Sequence, residues 1–279
     1  LYALDKESGR LTDGGWRKPQ GQFEDPEPLV AGPAYDPLND LVLAPSEDGN
    51  LYAYAAKSGD QAWSPFQTGG AIWSTPAVEN GIGYFGSHDH KVYAVSLNDG
   101  KELWQYETDG VVAGKPLVFD GMVIAGSFDK KLYAISVGGN LAWTFEGDNW
   151  FWAGAVTDGS TIFAPNMDGN IYALDRNGNL LWKHDVGSAI VSSPVLVPRG
   201  LVVAAKDGNL LLLETGSAGF GSPRVLFNQK IGDAEIKAPL FAEGDSVYVG
   251  SQDRTVRRIE FRGGQRNVWC LHTRDGFCN

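Results

Sequence analysis

The sequence is poor in residues that serve metal or redox chemistry, with two cysteines and four histidines in 279 residues. No run of about 18 consecutive apolar residues occurs, so no segment has the length and apolarity of a transmembrane helix. The G-x-S-x-G, H-E-x-x-H and P-loop motifs are also missing. The usual sequence signals for serine hydrolases, zinc hydrolases and nucleotide hydrolases are therefore not found.

Positive charge is also scarce, because 34 acidic residues outnumber 23 Lys and Arg and give a formal net charge of -11. Such a field repels phosphate backbones and anionic lipid surfaces. We therefore predict no nucleic-acid partner and no direct membrane insertion. The chain is rich in turn formers instead, with 36 glycines and 14 prolines, which indicates many short connected elements.

Both cysteines, Cys270 and Cys278, lie in the last ten residues. A disulfide there would hold the C-terminus in place, and disulfides persist in oxidising compartments. The spacing favours a Cys270 to Cys278 disulfide and an extracytoplasmic location, whether periplasmic, cell-surface or secreted. Two free thiols are the alternative.

The chain repeats itself with a period of about forty residues. Its anchoring aspartates are Asp48, Asp89, Asp129, Asp168, Asp207 and Asp253, which gives steps of 41, 40, 39, 39 and 46 residues. Each unit contains four short segments rich in β-formers, such as TPAV, GYFGS, KVYAVS and ELWQYE. Each unit is therefore predicted to be a four-stranded antiparallel sheet.

Such a sheet buries both faces only by packing against neighbouring sheets, which predicts an all-β fold, a β-propeller of four-stranded blades. Six complete units begin at Pro33, Pro76, Pro116, Gly154, Pro194 and Pro239. We expect one domain over residues 1–279, with a half blade at 1–16, six blades over 33–269 and a tail at 270–279. A missing N-terminal segment would complete the half blade and give seven or eight blades, and a strand from a partner chain is the alternative.

The His-x-His pair at 88–90 has the appearance of a metal site but falls inside the repeat. His90 aligns with Gly49, Lys130, Gly169, Gly208 and Arg254, which indicates the tip of a hairpin. Zinc needs three or four convergent ligands, so we predict no metal site.

The phrase AVSLNDGKELW, from Ala94 to Trp104, recurs at 53–63, 134–143 and 173–182. It resembles the tryptophan-docking phrase of the PQQ-like β-propeller repeats, a family with quinoprotein dehydrogenase-like and BamB-like members. The resemblance implies a propeller in which four tryptophans have a structural docking role, namely Trp63, Trp104, Trp143 and Trp182. For BamB-like members it also implies a protein partner and a role in organising other envelope proteins.

The sequence lacks the adjacent cysteines that many quinoprotein dehydrogenases carry, and its acids recur at turn positions. We therefore predict a non-enzymatic protein-binding or scaffolding module with no cofactor and no catalytic residue. The alternatives are an oxidoreductase that uses PQQ with calcium, and the ligand-sensing domain of a larger receptor.

One departure from the repeat is DNWFWAGAV at 148–156, where sibling units have TGGAIWSTP, TDGVVAGKP and VGSAIVSSP. The resemblance implies that this segment leads to the innermost strand at the mouth of a central channel. We predict an aromatic binding platform there, composed of Trp73, Trp150, Phe151 and Trp152. The alternative is that these rings pack between blades.

A second departure is RTVRRIEFRGGQR, where Arg257 and Arg258 occupy the positions of Tyr93 and Ala94 in the second unit. An unpaired guanidinium is costly to bury, so this blade must pack differently. Either the arginines extend to solvent, or they meet carboxylates of another segment or chain. The candidate partner-binding edge comprises Arg254, Arg257, Arg258 and Arg262.

Overall fold

The computed structural model describes residues 1–3, 16–17, 28–215, 221–261, 266–273 and 276–277. Within these residues the regular structure consists of strands alone, which confirms the all-β prediction. The described part of the chain accordingly contains no helix with the length and apolarity to span a membrane.

The strands assemble into successive antiparallel sheets in chain order. The strands are β1 (Tyr2–Ala3), β2 (Trp16–Arg17), β3 (Ala34–Asp36), β4 (Leu41–Pro45), β5 (Asn50–Ala55), β6 (Phe66–Gln67), β7 (Ala77–Glu79), β8 (Ile82–Gly86), β9 (Lys91–Ser96), β10 (Glu102–Glu107), β11 (Leu117–Phe119), β12 (Met122–Gly126), β13 (Lys131–Ser136), β14 (Leu141–Glu146), β15 (Val156–Thr157), β16 (Ile162–Pro165), β17 (Asn170–Leu174), β18 (Leu180–Asp185), β19 (Val195–Val197), β20 (Gly200–Ala204), β21 (Asn209–Leu213), β22 (Val225–Lys230), β23 (Phe241–Glu243), β24 (Ser246–Gly250), β25 (Thr255–Glu260), β26 (Arg266–His272) and β27 (Gly276–Phe277). From β3 onward, each four consecutive strands form one blade. The predicted six blades are confirmed, and β1 and β2 pair separately as the two strands of the half blade.

The C-terminal boundary differs from the prediction. β26 extends to His272, and β27 adds a fifth strand to the last blade through the pairs Leu271 with Phe277 and His272 with Gly276. Residues 270–272 and 276–277 therefore belong to the sheet. Cys270 is disulfide-bonded, and Cys278 lies outside the described residues.

The chain divides into two compact units. The first comprises Leu1–Asp129 and Ile135–Ala142, and the second comprises Lys130–Ala134 and Trp143–Asn279. The third blade contributes residues to both, and each unit is described by itself.

The hairpin between the second and third strands of each blade turns through a residue with positive φ. These residues are Gly49 (81°), His90 (69°), Lys130 (73°), Gly169 (91°), Gly208 (93°) and Arg254 (67°). The prediction that His90 lies at a hairpin tip is confirmed. The preceding aspartate accepts the N–H group two residues further on, at 2.7 to 3.2 Å, in the hairpins of Asp48, Asp89, Asp168, Asp207 and Asp253, which stabilises the turn locally.

Successive sheets pack face to face within each unit. In the first unit, Leu43 and Leu51 of the first blade pack in one cluster with Phe85 and Val95 of the second. In the second unit, one cluster joins the fourth and fifth blades through Phe163, Ala173, Leu201 and Val203, and another joins the fifth and sixth through Val202, Leu212, Val247 and Ile259. These apolar interfaces between blades form the hydrophobic core.

Tryptophans of the repeat phrase reach from one blade to the next. The indole N–H groups of Trp63, Trp104 and Trp143 donate to the carbonyl oxygens of Leu97, Val137 and Arg176 at 3.3, 2.8 and 3.0 Å. Their rings lie so close to Gly100, Gly139 and Gly178 that a Cβ on any of these glycines would be 2.6 to 2.8 Å from the indole. These three rings are half-buried, and Trp182 is fully buried at 5.8 Å from the Phe163 ring.

Candidate functional site

The segments that join one blade to the next share a single anchoring scheme. Each segment runs from the outermost strand of one blade to the innermost strand of the next and buries one apolar side chain. We call these the crossover segments, and they comprise residues 68–76, 108–116, 147–155, 186–194 and 231–239. The buried anchors are Ile72, Val112, Phe151, Ile190 and Ile236. The carbonyl of the residue before each anchor accepts an N–H from the next hairpin, at 2.8 to 3.0 Å, from His88, Phe128, Met167, Lys206 and Gln252.

Residues 147–152 of the third crossover segment, which we call the Trp150 loop, are held at several points. The carbonyl of Asn149 accepts a hydrogen bond from Nδ2 of the buried Asn166 at 2.7 Å. The N–H of Trp150 donates to the side chain of Asn149 at 2.8 Å, and its carbonyl accepts the N–H of Met167 at 3.0 Å. The loop backbone is therefore fixed on the hairpin of the fourth blade.

The prediction that Phe151 belongs to a binding surface is wrong. Its side chain is fully buried, with ring centroids 6.4 Å from Phe145 and 6.0 Å from Tyr172. The alternative, that this ring packs in the core, holds for Phe151. The signal was in the sequence, because the equivalent positions of the sibling crossover segments carry Ile or Val.

Trp150 occupies the position before the anchor, where the siblings have Ala71, Val111, Ala189 and Glu235. It is 40% exposed, a large value for an indole on an ordered loop. Trp152 follows the anchor and is half-buried. The Trp150 loop therefore exposes the Trp150 indole to solvent, and the buried Phe151 beside it holds the loop in place.

Trp73 takes the same position in its crossover segment as Trp152. Its indole N–H donates to Oε1 of Glu47 at 3.0 Å, and its ring lies 4.2 Å from the His88 ring. Burial lowers the pKa of His88, which favours the neutral imidazole under this indole. Trp73 lies in the first unit and Trp150 and Trp152 in the second, so a common platform stays a prediction.

The repeated aspartates have a structural role in several blades. The phenol groups of Tyr52, Tyr93 and Tyr172 donate to Asp48, Asp89 and Asp168 at 2.7, 2.6 and 2.5 Å. Burial, followed by the hydrogen bond to Asp48, raises the pKa of Tyr52 to about 12. The pKa values of the other two phenols are raised for the same reasons. These tyrosines therefore remain protonated donors at neutral pH.

Arg257 replaces the tyrosine of this pair in the last blade. Its Nη2 lies 2.9 Å from Oδ2 of Asp253, its Nη1 donates to the Thr255 hydroxyl, and its side chain is only 13% exposed. The predicted exposure of Arg257 to solvent is therefore wrong. The guanidinium pairs with a carboxylate, as the other alternative predicted, but this carboxylate is Asp253 of the same hairpin. Burial alone would raise the pKa of Asp253, but hydrogen bonds from Thr255 and Arg257 outweigh it and lower the pKa to about 2.

The shifted pKa of Asp253 predicts an acid dependence of stability. Its folded-state pKa lies below the ordinary value of 3.8, so its contribution is present above about pH 4 and is lost as the pH falls towards 2. Asp253→Asn should remove this component, so that the variant loses less stability than the wild type between about pH 5 and pH 3. Urea midpoints at each pH measure the difference. The control is Asp233→Asn, whose carboxylate is almost fully exposed, and parallel losses in Asp253→Asn and the wild type would contradict the prediction.

The remaining residues of the predicted arginine edge have separate positions. Arg254 is exposed at the hairpin tip. Arg258 is half-buried and donates from Nε and Nη2 to Oγ of Ser246 at 3.1 and 2.9 Å. Arg262 lies outside the described residues. A partner-binding role for these arginines stays a prediction.

Metal-ligating side chains are dispersed over the described residues, where no three or more His, Cys, Asp or Glu residues are grouped in a way that could hold an ion. His88 lies under Trp73, whereas His90 is exposed at its hairpin tip. The two histidines of the 88–90 pair therefore have different surroundings.

Comparison with known proteins identifies the family. The family model described as outer membrane protein assembly factor BamB matches residues 68–276. The chain belongs to the BamB family. The matched range begins at the first crossover segment and includes the Trp150 loop and the arginines of β25.

Solved structures agree with this assignment at the level of fold. BamB from Moraxella catarrhalis is 22% identical, with a TM-score of 0.72 over 88% of this chain and 73% of that one. The computationally designed Ika8 protein is 18% identical, with a TM-score of 0.75 over 89% of this chain and 76% of that one. No curated protein matches the sequence. The predicted β-propeller class and the resemblance to BamB-like repeats are confirmed.

Proposed function

We propose that this protein is a non-enzymatic protein-binding module that serves as an assembly scaffold outside the cytoplasm. The observation that carries the proposal is the Trp150 loop, which presents a 40% exposed indole on a backbone fixed to the neighbouring hairpin. The proposal assigns no cofactor and no catalytic residue.

The physical argument is one of preorganisation. Tryptophan is enriched among residues that dominate binding energy, because one indole buries a large area at a small cost in side-chain entropy. Trp150 has its backbone ordered before binding, by hydrogen bonds to Asn149 and Met167, and so loses less freedom on association. Asp148, whose side chain is 74% exposed and lies 3.6 Å from Lys183, adds a polar rim.

The expected partner is a protein with an apolar pocket for the indole. We infer that this protein and its partner belong to a larger assembly, because the matching family is described as outer membrane protein assembly factor. The disulfide at Cys270 supports an oxidising, extracytoplasmic compartment.

Trp150→Ala tests this function. After a stoichiometric partner has been identified from the native source by mass, its affinity for the variant should fall about 30-fold or more, the effect of losing a hot-spot side chain. The variant should remain folded, because the loop backbone is held by hydrogen bonds that do not involve the indole. Titration calorimetry with the purified partner measures the affinity.

The matched control is Leu180→Ala, which removes another exposed apolar side chain of the second unit, at 44% exposure on β18. This variant should bind the partner with wild-type affinity. Equal affinities for the wild type and Trp150→Ala would overturn the assignment of the Trp150 loop.

A further inference from the structure

The Trp150 loop is attached to its blade differently from the first two crossover segments. Each of those two segments begins with a threonine, whose hydroxyl donates at 2.7 Å to the carbonyl of the residue two positions later. These pairs are Thr68 with Gly70 and Thr108 with Gly110. The third segment begins with Gly147 instead and has no hydroxyl there. The equivalent carbonyl, that of Asn149, accepts its hydrogen bond from the next hairpin, from Nδ2 of Asn166.

Asn166 replaces a small residue of the repeat. The residues at the same position of the neighbouring hairpins are Ser87, Ser127, Ala205 and Ser251. The Asn166 side chain is fully buried, and its Oδ1 accepts the N–H of Asp168 at 2.9 Å, which identifies Nδ2 as the donor to Asn149. An amide side chain is one bond longer than the serine hydroxyl. Asn166 can therefore hold this carbonyl further from the hairpin backbone than a serine does.

Gly147 leaves the space that this arrangement needs. A Cβ at position 147 would lie 2.7 Å from Nδ2 of Asn166 and 2.8 Å from Cζ of Phe151, and such an overlap in a packed interior is destabilising. The φ of Gly147 lies outside the left-handed region, so the requirement for glycine is one of space. The three departures from the repeat, Gly147, Phe151 and Asn166, therefore depend on one another, and they occur together in the segment that exposes Trp150.

We propose that Asn166 is a positioning residue for Trp150, which holds the indole in the direction required for partner binding by filling the space that Gly147 leaves. This inference rests on the proposed function, because it concerns the same loop. Asn166 binds the carbonyl of Asn149, and the N–H of Trp150 donates to the Asn149 side chain. A change at Asn166 is therefore transmitted to Trp150 through Asn149. A side chain that is already held in its bound direction loses less freedom on association.

Asn166→Asp tests the donor at nearly constant volume. At about pH 8 the carboxylate would oppose the Asn149 carbonyl with a second acceptor, so the loop should shift and the affinity for the purified partner should fall about tenfold. At about pH 5 the carboxyl should be protonated, because burial and the neighbouring acids Asp148 and Asp168 raise its pKa. Its O–H then donates to Asn149, and the affinity relative to the wild type should recover. Titration calorimetry at both pH values measures this, and a variant that binds like the wild type at the higher pH would overturn the proposal.

The matched control is Asn228→Asp, which makes the same substitution at an exposed position of β22 in the second unit. This variant should bind the partner like the wild type at both pH values.

The direction of the indole can also be followed without the partner. In protein labelled with isotope-enriched tryptophan, the Trp150 indole N–H resonance is assigned by its loss in Trp150→Phe. This resonance should shift in Asn166→Asp at the higher pH and return to the wild-type position at the lower pH. A resonance that stays in place at both pH values would overturn the positioning role, whereas wild-type partner affinity in Trp150→Ala would overturn the proposed function.

A triple variant keeps the test decisive where a buried carboxylate prevents folding. It installs the residues of the first crossover segment and its hairpin. The substitutions are Gly147→Thr, Phe151→Ile and Asn166→Ser, after Thr68, Ile72 and Ser87. These residues form a complete hydrogen-bonded arrangement in the first segment, so the triple variant should fold. It keeps Trp150 but should bind the partner about tenfold more weakly, because the loop is no longer held by an amide from the hairpin. Wild-type affinity in this variant would also overturn the proposal.

Discussion

Replacing Phe151 with alanine should lower the free energy of unfolding by about 3–5 kcal/mol, the cost typical of a buried phenylalanine. The ring is fully enclosed and contacts Phe145 and Tyr172. Its removal loses the transfer free energy of the ring and leaves a cavity that neighbouring strands cannot fill without moving. Urea denaturation followed by tryptophan fluorescence measures the change.

Two further variants make the result specific. Trp150→Ala, one position earlier, should cost clearly less stability than Phe151→Ala, since the Trp150 side chain is 40% exposed and Phe151 is fully buried. Phe151→Ile should cost less than Phe151→Ala, because Ile72 and Ile190 fill the same position in other crossover segments. A Phe151→Ala protein as stable as the wild type would mean that the ring is not an anchor.

The anchor also connects stability to binding. Phe151 holds the loop from one side, and the hydrogen bond from Met167 to the carbonyl of Trp150 holds it from the other. If the anchor is lost, Trp150 is displayed on a less ordered backbone and must be ordered on association. We therefore expect Phe151→Ala to weaken partner binding even where the protein remains folded.

The features that the sequence predicts well are those that recur with the period of about forty residues. The period of the aspartates locates the hairpins, and the alignment of His90 with glycines correctly places it at positive φ. The Arg257 pairing could also have been predicted. Asp253 precedes Arg257 by four residues, the same spacing as Asp48 and Tyr52.

The features that the sequence did not predict depend on details of single blades that do not recur with the repeat. The difference between Trp150 and Phe151 depends on which side chain the crossover segment turns inwards. The three aromatic residues alone do not reveal it, and only alignment of Phe151 with Ile72 and Ile190 of the sibling segments does. β27 is only two residues long and follows a turn, so its pattern is too short to recognise.

Gly86→Ala should destabilise the first unit by about 3 kcal/mol, the upper part of the usual range for overpacking. Gly86 ends β8, and a Cβ added there would overlap both the Cγ1 methyl and the carbonyl oxygen of Val112. Val112 is the fully buried anchor of its crossover segment, and its N–H donates to the carbonyl of Ser87 at 3.2 Å. Neither the side chain nor the backbone of the anchor can move away without breaking this attachment.

The control for this substitution is Gly121→Ala, at a turn where φ is +73° and no atom lies within 4 Å of the added Cβ. It should cost about 1 kcal/mol, from the backbone conformation alone. Adding Val112→Ala to Gly86→Ala should not restore stability, because the carbonyl oxygen and the Cβ of residue 112 remain within 2.5 Å of the added Cβ and the buried anchor is lost. A double variant as stable as the wild type in urea denaturation would show that the Cγ1 overlap alone causes the loss. A double variant less stable than the Val112→Ala single variant would show that a glycine is required beneath the crossover segment, which would explain how these segments hold the residues beside their anchors in fixed positions.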